Sequence, residues 1–527
     1  MTSTDAGFLH QETASAHMHV GGLLLFEGPA PRFEDFLDHI RGRLHLLPRY
    51  RQKLAIPPAG SGRPLWVDDS SFNLEYHVRH SALPAPGSEL QLLEMTARIS
   101  SQPLDRTKPL WEFWLVEGVA PAAGSRTERF AMLAKNHHAL VDGVSGIDLA
   151  TVLLDFGPTP RRLDTDLLQA WQPRREPSAI DLLVAGARDA VGAAAGLAVQ
   201  ALSAASQPSR SLEVLRDAAE GVGELVWAGL NPAPATPLNV TIGPHRRYSV
   251  VRQQLADYKT IKNSFGGTVN DVMLTVVAGA LGDWLRSRGI TTDGLEMRAL
   301  VPVSVRSQDE RGTLGNRLTV MRGPLPVYIL DSVARLPVVS RAMDDLKGSK
   351  QAVGASTLVA VNDIAPPAVL AQASRLQFST RLFNLLVTNI PGPQVPLYIL
   401  RRELQDLFPL AFLPQGHALA VAIMSYNGRI EYGLLGDFDA LPDIDMIAEG
   451  IDQSLAELLA ATGTPRRKSK RAEPTVDAAS AEAHSATSAP LLPTSRRRPV
   501  SGPAADMRAK RVAQRSGHGG KRGPDAA

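Results

Sequence analysis

The feature that most constrains the fold is a pair of adjacent histidines within residues 134–143, which read Ala-Lys-Asn-His-His-Ala-Leu-Val-Asp-Gly. Residues 130–134, just before the pair, are apolar, and Gly143 follows it, so the pattern predicts a strand that turns into a helix. Two adjacent side chains point in different directions, so one imidazole can face a cavity while the other is held in its wall. Because histidine is well suited to proton transfer near neutral pH, we predict a proton-transfer site at this turn.

Length and cysteine content set outer limits on the protein class. The 527 residues are enough for two or three domains, and the apolar content allows a large core. The complete lack of cysteine excludes disulfides and thiol nucleophiles, and weakly favours a reducing compartment. The first residues lack a signal-peptide pattern, and no run of about 18 apolar residues predicts a membrane span. We therefore expect a cytoplasmic protein.

The net charge of +3 conceals a strongly basic tail. Residues 464–527 contain 14 Lys and Arg against 5 Asp and Glu, a net charge of +9, which leaves −6 for residues 1–463. The tail is rich in Pro, Ser and Ala and has few large apolar residues, so we predict that it is disordered.

Periodicity predicts alternating strands and helices on both sides of a central linker. Predicted strands cover residues 18–28, 111–117, 130–135, 300–305, 385–390, 417–426 and 429–435, and predicted helices cover residues 33–44, 90–99, 269–284 and 444–459. Thr268 and Asp271 have the spacing of a helix capping box. Asn427-Gly428 between apolar runs predicts a β-hairpin. The Ala-rich residues 179–205 predict one or two helices, either packed on the body or facing lipid.

Three other kinds of site are alternatives to a proton-transfer site at the histidine pair. A zinc site needs three or four ligands, and no compact group of His and carboxylates has suitable spacing. The Gly-x-Ser-x-Gly pattern of a serine hydrolase is absent, and so is a phosphate-binding glycine loop. The remaining interpretation is a general base that acts directly on a substrate hydroxyl or amine.

Over about residues 5–460, the chain resembles the bacterial wax ester synthase/diacylglycerol acyltransferase family of the coenzyme A-dependent acyltransferase superfamily. Residues 137–143 match the superfamily motif His-His-x-x-x-Asp-Gly, which chloramphenicol acetyltransferase-like enzymes and peptide condensation domains also contain. Further segments similar to the family narrow the resemblance: His17–Leu23, Pro103–Arg106, Pro109–Glu112, Thr268–Val272, Leu314–Asn316 and Asn389–Pro393.

The resemblance implies an α/β fold of two chloramphenicol acetyltransferase-like lobes with mixed sheets and an active-site tunnel between them. We place the N-terminal lobe at residues 1–155, a helical crossover at 156–243, the C-terminal lobe at 244–463 and the disordered basic tail at 464–527. The implied activity is transfer of a long-chain acyl group from acyl-CoA to diacylglycerol, to a fatty alcohol, or to both. A condensation-type acyltransferase and a catalytically silent lipid-binding protein remain as alternatives.

The resemblance also assigns roles to the histidine turn. His138 is the expected general base, and His137 supports the local geometry. Asp142 is expected to hold the loop through an arginine such as Arg306, and Gly143 to give substrates access at the turn. No covalent enzyme intermediate is expected, because no nucleophile motif is present, and no metal is expected, because suitable ligands are lacking. No separate cofactor is expected either, because acyl-CoA is itself a substrate.

Other residues receive weaker assignments. Asn270 either stabilises the oxyanion of the intermediate or only caps its helix. His17 and His19 alternate on a predicted strand, and we expect them at the surface or at an interface. The expected substrate-binding wall and turn comprise Pro109, Leu110 and Trp111.

The implied substrates are insoluble, which predicts partners beyond the acyl-CoA itself. We expect peripheral association with a membrane or with lipid inclusions, and no nucleic-acid partner. The sequence leaves a homodimer open.

Overall fold

Two six-stranded sheets form the framework of the protein in a computed structural model. The structure describes residues 1–58, 62–140, 146–160, 171–188, 191–192, 231–304, 318–348 and 378–463. The predicted disordered tail lies outside these residues.

The strands are, in chain order, β1 (His19–Glu27), β2 (Gln52–Ala55), β3 (Leu65–Asp68), β4 (Val78–Ala82), β5 (Trp111–Val119), β6 (Arg129–His137), β7 (Arg246–Gln254), β8 (Glu296–Ser304), β9 (Leu318–Pro326), β10 (Leu385–Pro391), β11 (Tyr398–Ile399), β12 (Arg402–Leu410), β13 (Leu419–Tyr426) and β14 (Arg429–Asp437). The helices are α1 (Ser3–Gln11), α2 (Phe33–Arg41), α3 (Leu74–His77), α4 (Glu89–Ser100), α5 (Gly146–Leu153), α6 (Leu255–Phe265), α7 (Val269–Ser287), α8 (Ser332–Gly348) and α9 (Ile444–Ala461).

Both sheets mix parallel and antiparallel pairs. The first has the order β11-β12-β1-β6-β5-β4, and only β4 and β5 pair in parallel. The second has the order β7-β14-β13-β10-β8-β9, in which β10 lies parallel to both β8 and β13. Strands β2 and β3 form a separate small sheet. The predicted α/β class with mixed sheets is confirmed.

Strand β12 joins the two halves of the chain, because it pairs antiparallel with β1 in the first sheet. The predicted lobe boundaries follow chain order, whereas the first sheet includes residues 398–410 from the second half. The second sheet approaches β12 closely at Gly433, where a Cβ atom would lie 2.0 Å from the carbonyl oxygen of Pro409. Only a residue without a side chain fits between these backbones.

An ion-pair network ties the same region together. The Arg252 guanidinium on β7 donates to both carboxylate oxygens of Glu89 on α4, at 2.9 and 2.8 Å. It also lies 3.2 Å from Asp406 on β12. One guanidinium therefore connects β7, α4 and β12. Its planar arrangement of N–H donors suits pairing with two carboxylates at once.

Local sequence signals account well for individual elements. Thr268 and Asp271 form the predicted reciprocal capping box at the start of α7. The predicted hairpin is present, with β13 and β14 antiparallel around Asn427-Gly428, where both residues have positive φ. The helix predicted for residues 33–44 was too long, because α2 ends at Arg41 and Gly42 caps it.

The described part of the Ala-rich stretch is helical over residues 179–188. In the part of the chain that the structure describes, no single helix has the length and hydropathy of a membrane span. Helices α6 and α7 meet that test only as a pair, which is bent by 98°.

Candidate active site

The histidine pair lies at the end of β6, a central strand of the first sheet between β1 and β5. The backbone N–H of His137 donates to the Leu110 carbonyl at 3.0 Å, and that of His138 donates to the Met18 carbonyl at 2.8 Å. Residues His138–Leu140 then form a 3-10 turn. The chain direction at the pair is thus set by bonds to segments on either side of β6.

The His138 ring is half-buried and lies among aromatic side chains. It stacks on Phe8 of α1, with ring centroids 3.9 Å apart and planes inclined by 22°. The Phe412 ring approaches it edge-on, with the centroids 5.6 Å apart. Two aromatic rings therefore contact this imidazole.

The His137 ring points the other way and is 1% exposed. Its Nδ1 accepts a 3.1 Å hydrogen bond from the backbone N–H of Ala139. Its Nε2 lies 3.5 Å from Oε2 of Glu12. The predicted division put one imidazole in a cavity and held the other in its wall. The His137 ring is held in the interior, whereas the His138 ring is half-buried against Phe8 and Phe412.

Glu12 is a residue of this cluster that the sequence did not reveal. It directly follows α1, and its side chain is buried beside three imidazoles and the Arg106 guanidinium. Burial disfavours the ionised carboxylate, but His137 and Arg106 outweigh it and lower the pKa of Glu12 to about 2. Glu12 therefore carries a buried negative charge at neutral pH.

His17 and His19 were expected at the surface or at an interface, and the expectation of surface positions is wrong. They are 6% and 7% exposed, and they line the same small cavity as Ser100, Lys135 and Arg246. Their rings stack with centroids 5.2 Å apart, and their nitrogens lie 3.9 and 3.6 Å from Glu12. Burial lowers the pKa of His17, and it lowers that of His19 well below the ordinary value, with Lys135 adding to both shifts.

A small cavity lies beside these histidines, where the first sheet meets the segment that follows β12. One side is polar and includes His17, His19 and Lys135, while the other is apolar and includes Leu410 and Phe412. Phe412 also contacts His138, so the apolar wall of the cavity extends to that imidazole.

The predicted wall residues lie behind the histidine turn. Leu110 and Trp111 are fully buried, and Pro109 is buried too. Leu110 packs in a small apolar cluster with Ala139. The Trp111 indole donates to the Tyr50 carbonyl at 2.8 Å. These side chains support the turn from within the core.

Asn270 lies in the other half of the chain, in the first turn of α7. Its side-chain oxygen accepts a 3.1 Å hydrogen bond from the Asn389 amide on β10. Within the described residues, its side chain bonds to Asn389 and to neither histidine of the pair. The alternative role of capping the helix belongs to Thr268 and Asp271.

Two predicted site residues, Asp142 and Gly143, lie outside the described residues, as does the proposed arginine partner Arg306. A metal site was one of the rival interpretations of the histidine pair. Within the described ranges, no group of three or more His, Asp and Glu is arranged to hold a metal ion.

The chain matches known families and proteins over most of its length. The model of the wax ester synthase/diacylglycerol acyltransferase catalytic domain matches residues 1–273, and the model of the corresponding C-terminal domain matches residues 314–459. A Mycobacterium tuberculosis protein named as a probable diacylglycerol O-acyltransferase is 33% identical over 479 residues, which cover 89% of this chain and 97% of that protein.

Solved structures agree with this similarity. The wax ester synthase/diacylglycerol acyltransferase from Marinobacter aquaeolei VT8 matches with a TM-score of 0.60 and 27% identity, over 88% of this chain and 99% of that chain. The trichothecene 15-O-acetyltransferase from Fusarium sporotrichioides has a TM-score of 0.53 at 12% identity, over 88% and 94% of the two chains. The second match shows a similarity of fold alone.

Proposed function

Because this chain belongs to the wax ester synthase/diacylglycerol acyltransferase family, we propose that it transfers a long-chain acyl group from acyl-CoA to a hydroxyl of diacylglycerol or of a long-chain alcohol. The chain is an acyltransferase of this family. Its acceptor decides whether the product is a triacylglycerol or a wax ester. The reaction uses acyl-CoA as a substrate and needs no further cofactor.

The residue that carries the proposed chemistry is His138. An unprotonated ring nitrogen removes the proton from the acceptor hydroxyl while the oxygen attacks the thioester carbonyl carbon. Collapse of the tetrahedral intermediate breaks the carbon–sulfur bond, and the imidazolium returns its proton to the CoA thiolate. The products are an ester and free CoA, with no covalent bond to the enzyme.

One observation supports this role above others. His138 is half-buried at the end of β6, between the Phe8 ring and the edge of Phe412, and Phe412 lines the adjoining cavity. An acyl chain held against these apolar walls would have its thioester near the imidazole. The tunnel between the lobes, with acyl-CoA and acceptor meeting at His138, is part of this proposal.

Asn270 is proposed to stabilise the oxyanion of the intermediate. Its side-chain oxygen accepts from Asn389, which orients the amide so that its own N–H₂ group can donate to a substrate oxygen. One such donor is worth roughly 3 kcal/mol in the transition state. In this proposal Asp142 holds the loop after the pair, and Gly143 keeps the turn open to substrates.

His137 and the wall residues are proposed to act indirectly. His137 keeps the turn in place through its bond from Ala139. The side chains that close the substrate site from behind are Pro109, Leu110 and Trp111, all of them buried.

Peripheral association with a lipid surface is also proposed. Residues 179–188 form a helix whose outward side chains include Ile180, Leu183 and Val184, which are 71%, 45% and 44% exposed. Apolar side chains at this spacing form one stripe on a helix and suit the interface of a lipid layer.

The direct test is purified protein with palmitoyl-CoA and either dioleoylglycerol or hexadecanol, with a thiol reagent to detect released CoA. We expect CoA release that depends on the acceptor, and loss of that release in His138→Ala. The control is His80→Ala, which alters a half-exposed histidine and should leave turnover unchanged. Folding of each variant is checked by circular dichroism. No CoA release by the wild type with either acceptor, or near-normal turnover in folded His138→Ala, would contradict the proposal.

A further inference from the structure

We propose that Phe8 is a positioning residue for the general base: the face of its ring holds the His138 imidazole in place and stabilises the positive charge that the imidazole gains during the reaction. The inference rests on the proposed role of His138 and adds a residue to the same site. Helix α1, which carries Phe8, thereby takes part in the chemistry at the end of β6.

The Phe8 ring lies nearly flat against the His138 imidazole. The two ring centroids are 3.9 Å apart, and the ring planes are inclined by 22°. Pairs of neutral aromatic rings prefer offset or edge-to-face arrangements with centroids about 4.5–7 Å apart. The closer, face-to-face pair at this site is better suited to a positively charged ring over a neutral one than to two neutral rings.

His138 carries a positive charge only during part of the proposed reaction. It gains the charge when it takes the proton of the acceptor hydroxyl, and it loses the charge when it returns the proton to the CoA thiolate. The face of a phenylalanine ring attracts a cation held within about 6 Å of the ring centroid. Phe8 therefore binds the imidazolium more strongly than the neutral imidazole, and an interaction that is stronger in the transition state raises kcat.

The stack also restricts the movement of the base. His138 directly follows β6, and its ring is half-buried, so rotation of the side chain determines where its nitrogens point. The Phe8 ring covers the imidazole from one side, and the Phe412 ring lies nearly perpendicular to it, with the planes 84° apart. Contacts from two directions limit this rotation. A base that is already in place reacts faster than one that must first be ordered.

Phe8 is itself held in place by its helix and by a neighbouring ring. The Thr2 side chain caps the first turn of α1, and Nη2 of Arg106 donates to the Leu9 carbonyl near the end of the helix at 3.1 Å. The Phe412 ring packs on Phe8 with the centroids 6.0 Å apart and the planes inclined by 74°. The ring that faces the imidazole therefore has a fixed position.

The main test replaces Phe8 in the full chain by phenylalanines that carry one, two or three ring fluorines. Fluorine withdraws electrons from the ring face and leaves the shape of the side chain almost unchanged. We expect kcat for acceptor-dependent CoA release to fall with each added fluorine, by about 2–30-fold in total, because that is the range of a cation–π contact. KM should change little. A ring that acted only by filling space would give no graded decrease.

Phe33 provides the matched control. Its ring stacks on the half-exposed His80 with the centroids 4.9 Å apart and the planes inclined by 8°, so it is a second phenylalanine–histidine pair outside the proposed site. The same fluorinated series at Phe33 should leave kcat unchanged.

Substitutions by natural residues separate the ring from its size. Phe8→Leu keeps an apolar side chain but has no ring face, and we expect it to lower kcat by about 10–100-fold, since both the charge stabilisation and the position of the base are lost. Phe8→Tyr keeps the ring face and should recover most of that loss. Circular dichroism checks the folding of each variant. If Phe8→Leu does not fold, the fluorinated series still tests the role of the ring.

Proton spectra of the protein with labelled histidines report the stack without any assay of activity. The His138 ring protons are assigned by their loss in His138→Gln. The current of a stacked aromatic ring moves the signals of these protons upfield. We expect the upfield shift in the wild type and in Phe8→Tyr, and its loss in Phe8→Leu.

Three results would overturn the inference: a constant kcat across the fluorinated Phe8 series, an equal decrease in the Phe33 series, or unchanged His138 ring-proton shifts in folded Phe8→Leu. Failure of the proposed function is a separate result. It would appear as no CoA release by the wild type, or as an active His138→Ala variant, while the ring-proton shifts would still test the contact between Phe8 and His138.

Discussion

The hydroxyl of Tyr50 donates a 2.9 Å hydrogen bond to the side-chain oxygen of Asn136, the residue immediately before the histidine pair. Both side chains are buried, at 2% and 1% exposed. The Tyr50 carbonyl accepts from the Trp111 indole as well. One residue outside the family-like segments thus braces the end of β6 and the wall behind it.

Replacing Tyr50 by Phe tests this brace. The change removes only the hydroxyl and leaves the Asn136 oxygen without that donor in the core. We expect the free energy of unfolding to fall by about 1–3 kcal/mol, measured by urea denaturation. The control Tyr328→Phe alters a tyrosine that is 39% exposed and should change stability by less than about 0.5 kcal/mol. Equal stability of Tyr50→Phe and the wild type would show that this bond contributes nothing.

A buried ion pair connects the residues just after α5 with the residues just after α2. The Arg43 guanidinium donates to Asp155 at 2.8 Å, with side chains 5% and 2% exposed. Asp155→Ala leaves that cation without its carboxylate in the core, so we expect a loss of about 3–5 kcal/mol in unfolding free energy. The double variant Arg43→Met/Asp155→Leu removes both charges and should recover much of the loss. A double variant no more stable than Asp155→Ala would contradict this account.

His39, beside the same pair, predicts a pH dependence. Its Nε2–H donates to the Leu153 carbonyl at 2.7 Å, and its Nδ1 accepts from Arg43, so both nitrogens suit the neutral ring. Burial, and then the Arg43 charge, lower its pKa from 6.5 to about 4. The unfolded chain therefore binds a proton at higher pH than the folded protein does.

The sign follows from that difference. The contribution of neutral His39 to stability is complete above pH 6.5 and is lost as the pH falls from 6.5 towards 4. The expected slope is up to about 1.4 kcal/mol per pH unit. In His39→Gln, whose amide can make both hydrogen bonds, unfolding free energies from urea denaturation at pH 7, 6, 5 and 4 should fall less steeply. Identical slopes for the two proteins would remove His39 from the pH response.

Several elements could be predicted because their causes lie within a few residues of the chain. The capping box of Thr268 and Asp271 needs only a spacing of three residues, and Asn427-Gly428 needs only the positive φ angles that these residues tolerate. The end of α2 shows the limit of this reasoning. Apolar spacing continues to Leu44, but the helix ends at Arg41, before Gly42.

The surroundings of the histidine pair depended on contacts that are distant in sequence. His17 and His19 have the alternation of an ordinary strand, and nothing near them in the chain shows that they are buried beside Lys135 and Arg246. Glu12 has no periodic pattern or motif of its own. It becomes important only because α1 ends beside Arg106 and His137, about 94 and 125 positions away along the chain.

The sequence by itself determined the elements, the mixed α/β class, the family and the residue proposed as the base, because these follow from short-range dihedral preferences, apolar periodicity and matched motifs. Only the tertiary structure decided which way each histidine of the pair points and what each touches. The physical reason is that a ring's tautomer and burial depend on atoms within about 4 Å of it in space. At His137 those atoms come from α1 and from the turn at Ala139, and at His138 they come from α1 and from the segment after β12.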